Sequence, residues 1–100
     1  MAVKTAQQAF DEIVAHIKKE GSAFKYWYSG ITADIESRLF GDHGVPKKDH
    51  WYIYRETTSS AAARSVEKAL IEQGTDGGGG GGDESAVFVY SYRKTNITNP

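Results

Sequence analysis

Apolar residues recur at helical spacing near the start of the chain. Phe10, Ile13, Val14 and Ile17 fall on one face of residues 5–20. Thr5 and Gln8 have capping-box spacing, and Gly21 is a natural stop. The pattern predicts an amphipathic helix, and then the period changes. Residues 23–31 are rich in aromatics without helical repeat, which predicts a strand. Gly30 either ends that strand or allows close backbone approach. Thr32 reads as an N-cap, with Asp34 and Glu36 early in a short helix that carries Ile35, Arg38 and Leu39. Residues 41–49 read as a loop punctuated by Gly44 and Pro46, and residues 50–56 as a second strand. A helix is expected over 61–73, with Ala63, Val66 and Leu70 facing inward and Gly74 as its stop. Six glycines at 77–82 read as a flexible loop flanked by Asp76 and Asp83. Residues 86–93 read as a third strand and 95–100 as a flexible tail.

The element order α-β-α-β-α-β predicts one small α/β (α+β) domain over residues 1–94. Its expected architecture is a three-stranded sheet covered by three helices. The length of 100 residues fits a single core, and 39% hydrophobic residues with twelve aromatics is a globular composition. A chain this short buries a modest core, which makes a homodimer a reasonable expectation. The net charge of −1 argues against a broad basic coat for nucleic acid. It leaves room for a local phosphate site, and Arg38, Lys47, Lys48, Arg55, Arg64 and Lys68 are placed to contribute. The absence of cysteine excludes disulfides, thiolate metal sites and thiol nucleophiles, and a reducing cytoplasm is the expected compartment. No apolar run approaches the ~20 residues of a membrane span, so no membrane partner is expected.

Four residue types suited to phosphodiester chemistry occur in order: the phenol of Tyr28, the guanidinium of Arg38, the imidazole of His43 and the carboxylate of Glu67. Tyrosine or histidine can take or relay a proton. Arginine clamps phosphate oxygens, and glutamate is a hard oxygen ligand for magnesium. Lys47 and Lys48, flanked by His43 and His50, suit a phosphate-facing loop. The glycine run is not a P-loop, since it follows a helix, precedes a strand and lacks the Gly-Lys-Ser/Thr sequence. The strand aromatics, among them Tyr52, Tyr54, Tyr90 and Tyr92, divide between the two sheet faces, as core or as stacking platforms for bases.

Tyr28-Ser29-Gly30, followed by Thr32, Arg38, Leu39 and His43, resembles the second half of the GIY-YIG nuclease signature. Ala63, Glu67, Leu70 and Ile71 resemble the helix that carries that family's metal-binding glutamate. The resemblance covers about half the chain. It implies a metal-dependent nuclease or phosphodiesterase acting on nucleic acid or a nucleotide. Glu67 would then hold Mg2+ or Mn2+, Arg38 would stabilise the phosphate, Tyr28 would position or deprotonate water, and His43 would relay a proton. Gly30 and Thr32 would line the ligand site. The family's first strand and its tyrosine have no counterpart at the N-terminus, where a helix stands instead. The C-terminal strand is therefore expected to fill the vacant sheet position and to supply Tyr90 or Tyr92. Two other expectations fit the same residues: a non-catalytic nucleotide- or nucleic-acid-binding module, and a protein-interaction domain using a strand edge or the first helix.

Overall fold

The computed structural model describes residues 3–20, 23–46, 51–77, 84–95 and 97–98. Helix α1 spans Ala6–Lys19. Its capping box is formed: Thr5 Oγ1 accepts from Gln8 N–H at 3.2 Å, and Gln8 Oε1 accepts from Thr5 N–H at 3.0 Å. Strand β1 is Trp27–Thr32, β2 is Tyr52–Glu56, β3 is Asp76–Gly77 and β4 is Phe88–Arg93. Helix α2 is Ser60–Gln73, capped by Ser59 and stopped by Gly74. Gly74 takes φ +123°, a conformation open to residues without a Cβ.

The sheet has four strands, in the order β2-β4-β1-β3. The expected count of three missed β3, the two residues Asp76–Gly77, which pair in parallel with Tyr28 and Ser29. Strand β4 is antiparallel to both its neighbours, β1 and β2. The fold is thus a small α+β domain with a mixed sheet. Two further boundaries differ from the sequence reading. Phe24–Tyr26 forms a 3-10 turn, so β1 begins at Trp27. The segment Glu36–Asp42 is a π-helix, in which His43 N–H donates to Arg38 C=O at 3.0 Å. Its entry is held by Asp34, whose carboxylate accepts from Ser37 N–H at 3.2 Å. Thr32 holds the turn before it, accepting from Asp34 N–H at 3.0 Å.

Alternation divides the strand residues between two cores. One face carries Trp27, Ile31, Ile53 and Val89, which pack against Ile13 and Ile17 of α1 and Ala63, Val66 and Leu70 of α2. The other carries Tyr28, Tyr52, Tyr54, Tyr90 and Tyr92 and is covered by Ile35, Leu39, Phe40 and Val45. The aliphatic face has a polar centre. Ser29 and Ser91 are directly opposed, their hydroxyl oxygens 2.7 Å apart, and Thr75 Oγ1 lies 2.9 Å from Ser29. All three are buried and satisfy one another, which is the condition for a hydroxyl to sit in an apolar interior. A two-residue slip between β1 and β4 would break this match. The trio thereby fixes the register that sets Tyr90 opposite Gly30 and Tyr92 opposite Tyr28.

Candidate functional site

The tyrosine-bearing face gathers side chains from three elements. Strand β4 contributes Tyr90 and Tyr92, β1 contributes Tyr28, and the π-helix and its end contribute Arg38 and His43. The imidazole of His43 is 2% exposed and sits between two hydroxyls. Nε2 is 2.8 Å from Tyr90 Oη, and Nδ1 is 3.0 Å from Tyr92 Oη. A neutral imidazole has one N–H, so it donates to one tyrosine and accepts from the other. Tyr28 completes the cluster, its ring 5.1 Å from that of His43 and 5.5 Å from that of Tyr92.

Arg38 closes the arrangement from the solvent side. Its guanidinium lies near the Tyr90 hydroxyl, which raises the arginine's already high pKa. Nη1 also meets Asp42 at 3.3 Å, while 44% of the side chain remains exposed. In one of the two assignments Tyr90 donates to His43 Nε2 and His43 Nδ1–H donates to Tyr92 Oη, leaving the Tyr90 oxygen free to accept. Burial pushes the Tyr90 hydroxyl up to about 12, against the opposing pull of Arg38. Burial also holds the Tyr92 hydroxyl well above the ordinary phenol range. Both are neutral phenols at physiological pH.

The π-turn explains why Arg38 and His43 act together. On an α-helix of 3.6 residues per turn, positions five apart point to nearly opposite sides. The Arg38 C=O to His43 N–H bond widens the turn by one residue and stacks the two positions.

Glu67 approaches from α2. It is 6% exposed, and burial raises its carboxyl pKa, with Arg64 one turn earlier opposing the shift. Its charge is a minor contribution, well after burial, to the raised Tyr90 hydroxyl. Among the described residues, no hydrogen bond or ion pair to the carboxylate is formed. Gly30 lies beneath the Tyr90 hydroxyl. Thr32 is buried, and its hydroxyl oxygen is already committed to Asp34 N–H. Lys47, Lys48 and His50 lie outside the described residues, as do glycines 78–82 of the glycine run.

Tyr28, Arg38, His43, Tyr90 and Tyr92 are therefore one cluster, and Glu67 makes no hydrogen bond or ion pair with it among the described residues. The sequence reading missed the polar trio of Ser29, Ser91 and Thr75 behind the site. The available signal was the repeat of Tyr-Ser in Tyr28-Ser29 and Tyr90-Ser91. Among the described residues, three or more His, Asp or Glu side chains do not gather as a metal cage. Nor is any helix among them long and apolar enough to cross a membrane. No family model, curated protein or solved structure matches the chain.

Proposed function

We propose that this chain is a metal-dependent nuclease or phosphodiesterase of GIY-YIG type in permuted order, with the first strand of the signature supplied by the C-terminal strand. The observation that carries this reading is the meeting of Tyr90, from β4, with Arg38 and His43 over Gly30. Strand β4 lies between β1 and β2, which supports a C-terminal strand standing in for the first strand of the signature.

The donor set fits one weakly held divalent cation. Glu67 offers a hard carboxylate with no hydrogen bond or ion pair among the described residues, although the charge of Arg64 acts on it. Magnesium or manganese keeps most of its waters and takes one or two carboxylates, so a single glutamate suffices. When bound, such an ion polarises the phosphate oxygens and lowers the pKa of its water.

The remaining steps belong to the chain itself. Arg38, half-exposed and permanently charged, pairs with the phosphate oxygens and offsets the charge that develops on them. Tyr28, half-buried beside His43, positions the attacking water. The water oxygen bonds to phosphorus as the ester P–O bond breaks; the water's proton passes to the Tyr90 hydroxyl oxygen as the Tyr90 proton moves to His43 Nε2, and the leaving oxygen takes a proton from solvent. Tyr90 and Tyr92 hold that imidazole at both nitrogens, so its orientation needs no adjustment during the reaction.

The test is cleavage of labelled single- and double-stranded DNA and RNA in magnesium or manganese, with EDTA and Glu67→Ala as controls. Metal-dependent cleavage that is lost in Glu67→Ala is expected. Folded wild-type protein that cleaves none of these substrates at high concentration overturns the catalytic reading and leaves a binding module.

A further inference from the structure

Beside the outer edge of β2 lies a cleft of about 590 Å³, lined by Lys4, Glu12, His16 and the strand residues 52–55. Alternation decides what β2 contributes to it. Ile53 packs in the aliphatic core with α1, and Arg55, two residues on, meets Glu12 of α1. Both side chains therefore lie on the α1 face. The rings of Tyr52 and Tyr54 turn to the other face, against Leu39 and Phe40. The direction of the main chain follows from the ladder. Trp51 C=O accepts from Arg93 N–H and Val87 C=O accepts from Thr57 N–H, both at 2.8 Å. Odd-numbered residues here thus turn their main-chain groups to β4, and Tyr54 turns its own to the outer edge. Tyr54 C=O accepts from Arg55 Nη1 at 2.8 Å, whereas no acceptor among the described residues meets Tyr54 N–H.

One carboxylate serves two cations in this cleft. Glu12 Oε1 accepts from Arg55 Nε, and Oε2 lies 3.2 Å from Lys4 Nζ. These contacts hold the Glu12 carboxyl below its usual range, so it is ionised at neutral pH. The three groups together carry one net positive charge. Arg55 commits one N–H to Glu12 and one to Tyr54 C=O, two of the five a guanidinium carries. Lys4 commits one of its three to Glu12. Among the described residues the others meet no acceptor, and with Tyr54 N–H they form a surplus of donors around one space. One cation would satisfy Glu12, so joining α1 to β2 does not account for the second. Two bonds fix the guanidinium in advance, which lowers the cost of ordering it around a ligand.

We infer that this cleft binds the phosphate monoester group of a small molecule, its oxygens on Arg55, Lys4 and Tyr54 N–H and its remainder beside Ile53 and His16. A carboxylate offers two oxygens with about four lone-pair sites, fewer than the uncommitted donors. A phosphate monoester offers three strong acceptor oxygens and a charge of about −1.5 to −2 at neutral pH. A guanidinium fork with an ammonium beside it suits that group in shape and in charge. The cleft is in the size range of small-ligand sites, so it has space for more than the phosphate itself. The inference stands apart from the nuclease reading. Arg55 and Ile53 lie on the α1 face of the sheet, and Tyr90, Tyr92 and His43 lie on the other.

The test is an NMR titration of the 15N-labelled protein at constant ionic strength, reading the Tyr54 amide and the Arg55 Nε–H. These two signals report on this cleft and not on the face that carries Arg38. The probes are ribose 5-phosphate, inorganic phosphate, a dinucleotide with one phosphodiester, and acetate. Saturable shifts of both signals are expected with ribose 5-phosphate, at lower concentration than with any of the other three. Lys4→Gln and Arg55→Gln should each weaken that binding about tenfold, the scale of one charge-assisted hydrogen bond. Thermal unfolding confirms that each variant is folded, and Lys4→Gln, at the start of the chain, keeps the test open if Arg55→Gln does not fold. Neither signal moving with ribose 5-phosphate, acetate or the diester binding as tightly, or a folded Lys4→Gln protein with unchanged affinity overturns the inference. Binding that passes these tests in a protein that never cleaves nucleic acid would sink the nuclease reading and leave this site standing.

Discussion

Tyr90 of β4 stands opposite Gly30 of β1, and its hydroxyl fills the space that a side chain at position 30 would need. A Cβ there would overlap the hydroxyl oxygen and lie 2.7 Å from Cζ. Tyr90 is packed among Leu39, Val45 and Tyr92 and is 1% exposed, so it has little room to swing away. Gly30→Ala is therefore predicted to cost about 1–3 kcal/mol through overpacking. In a domain of this size that lowers the melting temperature by roughly 4–8 °C per kcal/mol. Thermal unfolding checks it, and an unchanged midpoint would mean that the Tyr90 ring relaxes freely.

Glu67 shows a tension between stability and function. Burial raises its carboxyl pKa in the folded state above the unfolded value. The folded protein therefore holds that proton more tightly. The associated stability is full below the unfolded pKa and is lost as pH rises through the folded one. At neutral pH the wild type carries a buried negative charge that Glu67→Gln removes. The variant should melt higher than wild type at pH 7, with the gap closing as the pH falls toward 4 or below. A variant that melts lower at pH 7 would show the carboxylate to be stabilising the fold.

Arg38 should be separable from folding. Its side chain is 44% exposed, and its pairing with Asp42 is a surface ion pair of small worth. Arg38→Ala is predicted to reduce cleavage by about 10²–10³-fold, the usual scale for removing one donor to a developing oxyanion. Unfolding by urea should shift little. Arg38→Lys should recover only part of the rate, because an ammonium cannot make the two-point contact of a guanidinium. Full recovery by lysine would reduce the role of Arg38 to that of a point charge.

The buried phenols give a spectroscopic prediction. Of the six tyrosines, burial pushes Tyr90 up to about 12 and holds Tyr92 well above its ordinary value. Their unfolded values are near 10. Raised folded pKa values contribute stability that is complete below about pH 10 and is lost as pH climbs toward the folded values. Tyrosinate absorbance should show two phenols that ionise late, together with alkaline unfolding. Six phenols that titrate together near pH 10 in folded protein would contradict the buried cluster.

Much of this was legible in the chain. The N-terminal helix follows from Phe10, Ile13, Val14 and Ile17 and from the Thr5–Gln8 capping box, all local signals. The partnership of Tyr28, Arg38 and His43 was legible as a spacing. So was the expectation that a C-terminal strand brings Tyr90 and Tyr92 to the same sheet. Strand β3 was not, because Asp76 and Gly77 have poor strand propensity and their place depends on a hydroxyl contact 46 residues away, Thr75 to Ser29. The π-turn was not legible either. An added residue in a helical turn leaves no mark on hydrophobic period in a segment of seven residues. At the entry of the same segment Asp34, rather than Thr32, accepts from Ser37 N–H, since both are good caps and only the backbone path chooses between them.

The central claim is that a tyrosine from the last strand completes the site, and it is tested most directly by comparing Tyr90→Phe with Tyr92→Phe. Each change removes one hydroxyl from His43, so each should cost a similar 1–3 kcal/mol of stability. Of the two, Tyr90 is the one whose hydroxyl raises the Arg38 pKa. The account predicts metal-dependent cleavage by both folded variants, with Tyr90→Phe slowed roughly 10- to 100-fold and Tyr92→Phe much less. Equal rates for the two, or a Tyr90→Phe protein as active as wild type, would contradict it.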